Sequence, residues 1–128
     1  IKAAQEAETA EEKYPEVEKK PEITIDDFDK VQIQVGEVIK CEPVPKAKKL
    51  LVSQIKIGAE TRQIVSGIAK YYKPEEMVGK KVAVITNLKP CKLCGVESQG
   101  MILAAGDDEG NLSVVTVDKD IVSGSEIC

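Results

Sequence analysis

The stretch that decides the fold is RQIVSGIAKYYKPEEMVGKKVAVITNL, residues 62–88. It opens on RQIVSGI and closes on KKVAVITNL, two short runs rich in Val and Ile that read as strands. Between them, KPEEMVGK predicts a single helical turn, with Pro74 at the first helical position and Gly79 at its end. Working upstream, KLLVSQIKIG (49–58) is a strand with Leu51, Ser53, Ile55 and Ile57 on one face. GAET (58–61) is the turn that joins it to RQIVSGI. Further back, VQIQVGEV (31–38) alternates with period two and is expected to carry a bulge at Gly36. EPVPK (42–46) is expected to break that run. Downstream of residue 88, ESQGMILAAG (97–106) reads as a fifth strand and DDEG as a turn. LSVVTVD (112–118) reads as a sixth strand, and KDIVSGSEI closes the domain.

Three strands close in sequence favour a meander. A short helix and two further strands then complete the order of an OB-fold. The expectation is therefore an all-β chain: a five-stranded Greek-key barrel, a short helix between strands 3 and 4, and extra C-terminal strands. An SH3-like barrel is the competitor, and the helix between strands three and four favours OB. Barrels of this kind present a strand face and its neighbouring loops to oligonucleotides or sugars.

Residues 1–22 are set apart from this domain, which begins at residue 23. IKAAQEAETAEEK is built of good helix formers, so this acidic tail is expected to be partly helical. YPEVEKKPE has two prolines and no periodicity, and reads as linker. The chain opens without Met on polar, acidic residues, which reads as a piece of a longer chain and not as a signal peptide. No apolar run approaches the ~20 residues that span a bilayer, so no membrane partner is expected.

The 128 residues contain no His and no Trp. That removes Ser-His-Asp and Cys-His catalysis and all His-based metal sites. The net charge of -4 hides three blocks. Residues 1–29 hold 4 Lys against 10 acidic residues, and residues 95–128 hold 1 against 7. Residues 30–94 hold 13 Lys and Arg against 5, a central excess of +8. Such a field attracts polyanions even in an acidic chain. Lys46, Lys48 and Lys49 after strand one, Arg62 and Lys70 around strand three, and Lys89 and Lys92 before strand five are its candidate groups. Asn87, Ser98 and Gln99 add neutral hydrogen-bonding groups. Gly100 either leaves space for close approach of another backbone or a ligand, or kinks the strand at a barrel corner. The four aromatic residues give no broad stacking platform, with only Tyr71–Tyr72 available for that role. A folded polyanion recognised by shape and phosphate contacts fits better, as structured RNA allows.

The four cysteines include one C-x-x-C pair, Cys91 and Cys94, inside this basic region. The spacing suits half of a zinc site, but Cys41 and Cys128 show no partner spacing. Redox use wants a helix N-terminus before the first Cys, and a proline stands there instead. The thiols are read as reduced loop residues of a cytosolic protein, with no metal and no cofactor.

DDFDKVQIQVGEV, VPKAKKLL, RQIVSGIAKYYKPEEMVGKKV and NLKPCKLCGVESQGMILAA together resemble the tRNA-binding domain at the C-terminus of bacterial methionyl-tRNA synthetases. The same family includes free-standing tRNA-binding proteins and endothelial-monocyte-activating polypeptide. The resemblance runs from about residue 23 to residue 128, and SQGMILAA after NLKP is its most specific part. It implies an OB barrel, usually a homodimer, that binds tRNA rather than DNA. It also implies a non-catalytic appendage of a cytoplasmic methionine–tRNA ligase, with the ATP-dependent catalytic domain in cis. The family pattern maps tRNA-facing positions onto Lys49, Asn87, Lys89, Lys92, Ser98, Gly100 and Met101, and the charge reading adds Lys46. The family often has Arg at Gln34, an acidic residue at Lys48 and basic residues at Cys91 and Cys94. Positive charge is thus lost at Gln34, Cys91 and Cys94 and gained at Lys48, and fewer phosphate contacts imply weaker binding with a shallower salt dependence. A dimerisation module or a chaperone-like binder with weak tRNA affinity is the alternative role.

Overall fold

The computed structural model describes residues 14–128. The partly helical tail expected over residues 1–13 lies outside the described residues. Residues 14–22 are exposed and form neither helix nor strand. The first element is α1 (Ile25–Phe28), a single turn begun by a reciprocal cap. The Thr24 hydroxyl accepts from the Asp27 amide, and the Asp27 carboxylate accepts from the Thr24 amide, each at 3.2 Å.

Three strands then form an antiparallel meander: β1 (Ile33–Val44), β2 (Ala47–Ile57) and β3 (Glu60–Ser66). The single turn α2 (Pro74–Met77) leads to β4 (Lys81–Ile85). After it come the hairpin β5 (Cys91–Leu93) and β6 (Val96–Ser98), then β7 (Met101–Ile102). The order across the main sheet is β3-β2-β1-β4-β7. The sheet curls shut where the Gln99 amide donates to the Gln63 carbonyl (2.8 Å), bringing the entry of β7 onto β3. This is the Greek-key order of an OB barrel. The extra C-terminal strands are the hairpin of β8 (Ala104–Gly106) with β9 (Leu112–Val114), and β10 (Glu126–Ile127) on the free edge of β1.

The inward face of β2 is the one its alternation predicted: Leu51, Ser53, Ile55 and Ile57 are all buried. They pack with Val38, Ile64, Val82, Val84 and Ile102. Each large side chain so buried contributes about 1.5–3 kcal/mol. Met77 of α2 is fully buried and packs into this cluster, and Gly79 ends the turn with φ 93. The fully buried Ser53 hydroxyl donates to the Cys41 sulfur at 3.4 Å. Among the described residues, no helix is long and apolar enough to cross a membrane.

Three local expectations change. Gly36 is not a bulge: it pairs regularly with Val82, and the ladder between β1 and β2 slips between Val38 and Lys40. A Cβ at Gly36 would stand 2.5 Å from Ile55 Cγ2, so the glycine is there for close packing. The segment EPVPK does not end the first strand, because β1 runs through Val44 and the chain turns over Pro45–Lys46 alone. The single fifth strand is instead three pieces. β6 pairs with β5, β7 with β4, and β8 with β9.

Candidate nucleic-acid interface

Residues 87–98 connect β4 to the entry of β7, and both ends of this loop are tied down. At the first end, the Asn87 side chain accepts from the Gln32 amide (2.9 Å) and donates to the Lys30 carbonyl (2.6 Å). At the second, the buried Ser98 hydroxyl accepts from the Val65 amide (3.0 Å) and donates to the Gly100 carbonyl (3.1 Å). Gly100 follows, where a Cβ would stand 2.9 Å from the Ile85 carbonyl oxygen. Of the expected roles of Gly100, the structure shows the close approach of another backbone. No other residue lets β7 approach β4 this closely.

Between these anchors the β5–β6 hairpin projects. Leu93 pairs with Val96 across the two-residue turn Cys94–Gly95, and both turn residues have positive φ (50 and 81). That is the signature of a type I′ turn. The tip reaches the other turn of this end of the barrel. Val44, Pro45 and Lys46 line one cleft of about 260 Å³ together with Cys94, Gly95 and Val96. Thus the turn after β1 and the hairpin after β4, far apart in sequence, meet.

Around this junction Lys46, Lys48, Lys49, Lys89 and Lys92 are exposed. Among the described residues none of them makes an ion pair. Lys92 does face one carboxylate, since Glu97 lies directly across the hairpin. Met101, at the start of β7, is 45% exposed and places a flexible apolar group next to the loop. The Lys49 carbonyl accepts from the Ala69 amide (3.2 Å), which brings the loop carrying Lys70 and Tyr71 alongside. Tyr71 is exposed, with the Lys70 ammonium 6.0 Å from its ring centre. Tyr72 is structural: its hydroxyl accepts from the Val114 amide (3.0 Å).

The predicted site residues therefore divide. Lys46, Lys49, Lys89, Lys92 and Met101 present free side chains. Asn87, Ser98 and Gly100 are engaged in shaping the loop that carries them. Arg62, grouped with the basic candidates by charge alone, points back into the fold. It donates to Glu60 and to the carbonyls of Thr86 and Gln99. An amide ladder also escaped the sequence reading. Gln54 donates to Gln63 (3.1 Å), and Gln63 donates to the Glu97 carbonyl (2.8 Å), across the outer face of β2, β3 and β6. The period-two parity of Gln54 with Val52 and Lys56 was its available signal.

The cysteines do not converge. Cys91 opens β5 and Cys94 sits in the turn, three residues on along extended chain, or about 9–10 Å. A disulfide needs the two Cα atoms several Å closer. Among the described residues no group of three or more His, Cys, Asp or Glu is placed to hold a metal. Burial pushes the Cys41 thiol up from its ordinary value, so it stays protonated inside the barrel.

An OB barrel whose loops meet at a basic end defines a class: a binding domain built to face polyanions. The particular family follows from comparison. Residues 33–126 match the family described as "Putative tRNA binding domain", and the chain belongs to it. The chain is 61% identical over 110 residues to a methionine–tRNA ligase of Methanocaldococcus jannaschii, covering 86% of this chain and 17% of that protein. It is 56% identical over 120 residues to the Bacillus subtilis methionine–tRNA ligase, covering 94% of this chain and 18% of that one. Among solved structures, a MetRS-related protein from Pyrococcus horikoshii superposes with a TM-score of 0.81 at 38% identity, covering 85% of this chain and all of that one. The chain thus spans under a fifth of the ligases it matches, and the matched part is the binding domain without the catalytic one.

Proposed function

We propose that this chain binds tRNA at the end of the barrel where residues 44–49 meet residues 87–98, as the C-terminal appendage of a cytoplasmic methionine–tRNA ligase. The observation that carries the reading is the junction itself. Two segments separated by some forty residues of sequence converge, and the lysines around them have no ionic partner among the described residues. Lys46, Lys49, Lys89 and Lys92 serve as phosphate contacts, and Met101 packs against the nucleic acid beside them. Asn87, Ser98 and Gly100 hold the loop in the shape that tRNA meets. Contacts of this type read backbone and shape, with little sequence preference.

In the parent enzyme such a domain raises the local concentration of tRNA at a catalytic domain in cis, an effective-concentration effect. Residues 1–22 form the connector and residues 23–128 the binding unit. Exposed Ile121 and Val122 on the C-terminal segment support a homodimer. Sedimentation at tens of micromolar tests that part, and a monomer there contradicts it. The tRNA reading is tested by titrating the chain with bulk tRNA across a salt series. Binding weakens steeply between 50 and 300 mM salt if phosphate contacts carry it (roughly 0.7–0.9 of log slope per contact). Equal binding across that range, or none at low salt, overturns the reading.

A further inference from the structure

Arg62 is the one side chain among the described residues that bonds to both ends of the loop. Thr86 is the last residue before residues 87–98, and Gln99 is the first after them. Arg62 Nη1 donates to the carbonyls of both, the second at 3.3 Å. Glu60 grips the other side of the fork, accepting from Nε at 2.9 Å and from Nη2 at 3.5 Å. The Arg62 side chain is only 24% exposed. Four N–H···O interactions thus engage the guanidinium, and the Glu60 carboxylate offsets its charge. A planar fork can face two carbonyls and a carboxylate at once. An ammonium has three donors on one nitrogen and cannot span acceptors set on opposite sides of that fork.

We propose that Arg62 is a positioning residue for polyanion binding. It clasps the base of residues 87–98 and so sets where Lys89 and Lys92 stand, without itself touching the nucleic acid. The inference rests on the tRNA reading for its consequence, but the clasp has its own readout. The other anchors each hold one end: Asn87 grips residues 30 and 32, and Ser98 grips Val65. Arg62 alone fixes the distance between the ends through a side chain.

The decisive variant is Arg62→Lys, which keeps the charge and loses the fork. It is compared with wild type by amide hydrogen exchange of the free protein and by tRNA titration over a salt series. The expected result is exchange at residues 87–98 faster by about tenfold or more, with the β1–β2 core unchanged. The salt slope becomes shallower by roughly 1.5–2, the share of two phosphate contacts. Adding Lys89→Ala and Lys92→Ala to Arg62→Lys then changes the slope no further. Wild-type slope and affinity in Arg62→Lys overturn the proposal, because charge alone would then suffice. So does a loss that adds fully to that of the two lysine variants, which marks a direct phosphate contact.

Glu60→Gln is the second variant, should Arg62→Lys not fold. It leaves the arginine in place and makes the chain more positive. The clasp predicts weaker tRNA binding, and simple electrostatics predicts tighter binding, which would overturn it. If wild type binds no tRNA while Arg62→Lys still loosens the loop, the tRNA reading falls and the clasp stands. If the loop does not loosen, the clasp falls whatever tRNA does.

Discussion

Two hairpins project from this barrel, one in a basic surround and the other acidic. The β5–β6 hairpin follows Lys89, carries Lys92 in its first strand opposite Glu97 in its second, and meets Lys46 at its tip. The β8–β9 hairpin turns through Asp107, Asp108 and Glu109 without a basic residue. Their turns are built differently as well. The acidic turn is held from within: the Asp107 carboxylate accepts from the Glu109 and Asn111 amides, both at 3.0 Å, and from the Asn111 side chain at 2.9 Å. Those bonds hold its carboxyl below the usual carboxylate range. The basic hairpin has no such internal knot and is held from beneath, by Arg62, Ser98 and Asn87. Asp107 is spent inside its own turn and Asp108 on the Glu16 amide (2.9 Å), whereas the lysines at the other end make no ion pair among the described residues. A net charge of -4 averages the two and hides the difference.

The contrast can be broken most forcefully by removing its charges. Replacing Lys46, Lys89 and Lys92 together by Ala should weaken tRNA binding by about tenfold or more at low salt and flatten the salt slope by roughly 2–3. Asp107→Asn with Asp108→Asn should leave affinity within about twofold. Filter binding at two salt concentrations separates the cases. An equal effect from both sets would erase the contrast. Next in size is Gly100→Ala. Its Cβ meets the Ile85 carbonyl, so a loss of about 1–3 kcal/mol is expected in denaturant unfolding, together with weaker tRNA binding. Gly110→Ala, in open space but at φ 84, should cost about 1 kcal/mol and leave tRNA binding alone. Glu97→Gln should then sharpen the contrast. Freed of its cross-strand carboxylate, Lys92 gains on phosphate, and affinity should rise about two- to threefold. The smallest effect is Cys94→Asn. It places a preferred residue at the first position of a type I′ turn and should stabilise the chain by about 0.5–1 kcal/mol in thermal unfolding.

Much of this barrel is legible in the chain itself. The alternation from Leu51 to Ile57 marks the inward face of β2, and Pro74 with Gly79 brackets α2. What alternation does not reveal is a change of partner. From Glu97 to Gly106 the chain reads as one strand, but it serves β5, β4 and β9 in turn, and the only local trace of the switch is Gly100. The site divides in the same way. A lysine that faces solvent is found by charge, so Lys46, Lys89 and Lys92 stood out. Arg62 is also a cation, and charge alone placed it among them. Its parity with buried Ile64 on β3 is the signal that it points inward, although the carbonyls it meets belong to distant residues that no local pattern names. Cys91 and Cys94 show the converse. Their spacing suits half of a zinc site, but Cys91 opens β5 and Cys94 stands in the turn at its tip.

The central claim is that tRNA meets the basic end of the barrel and leaves the acidic hairpin free. It is tested most directly by recording the amide NMR spectrum of the chain while bulk tRNA is added at low salt. The account predicts that the resonances that shift or broaden first belong to residues 44–49 and 87–98, with residues 106–112 unmoved. First or equal perturbation at residues 106–112 would contradict it.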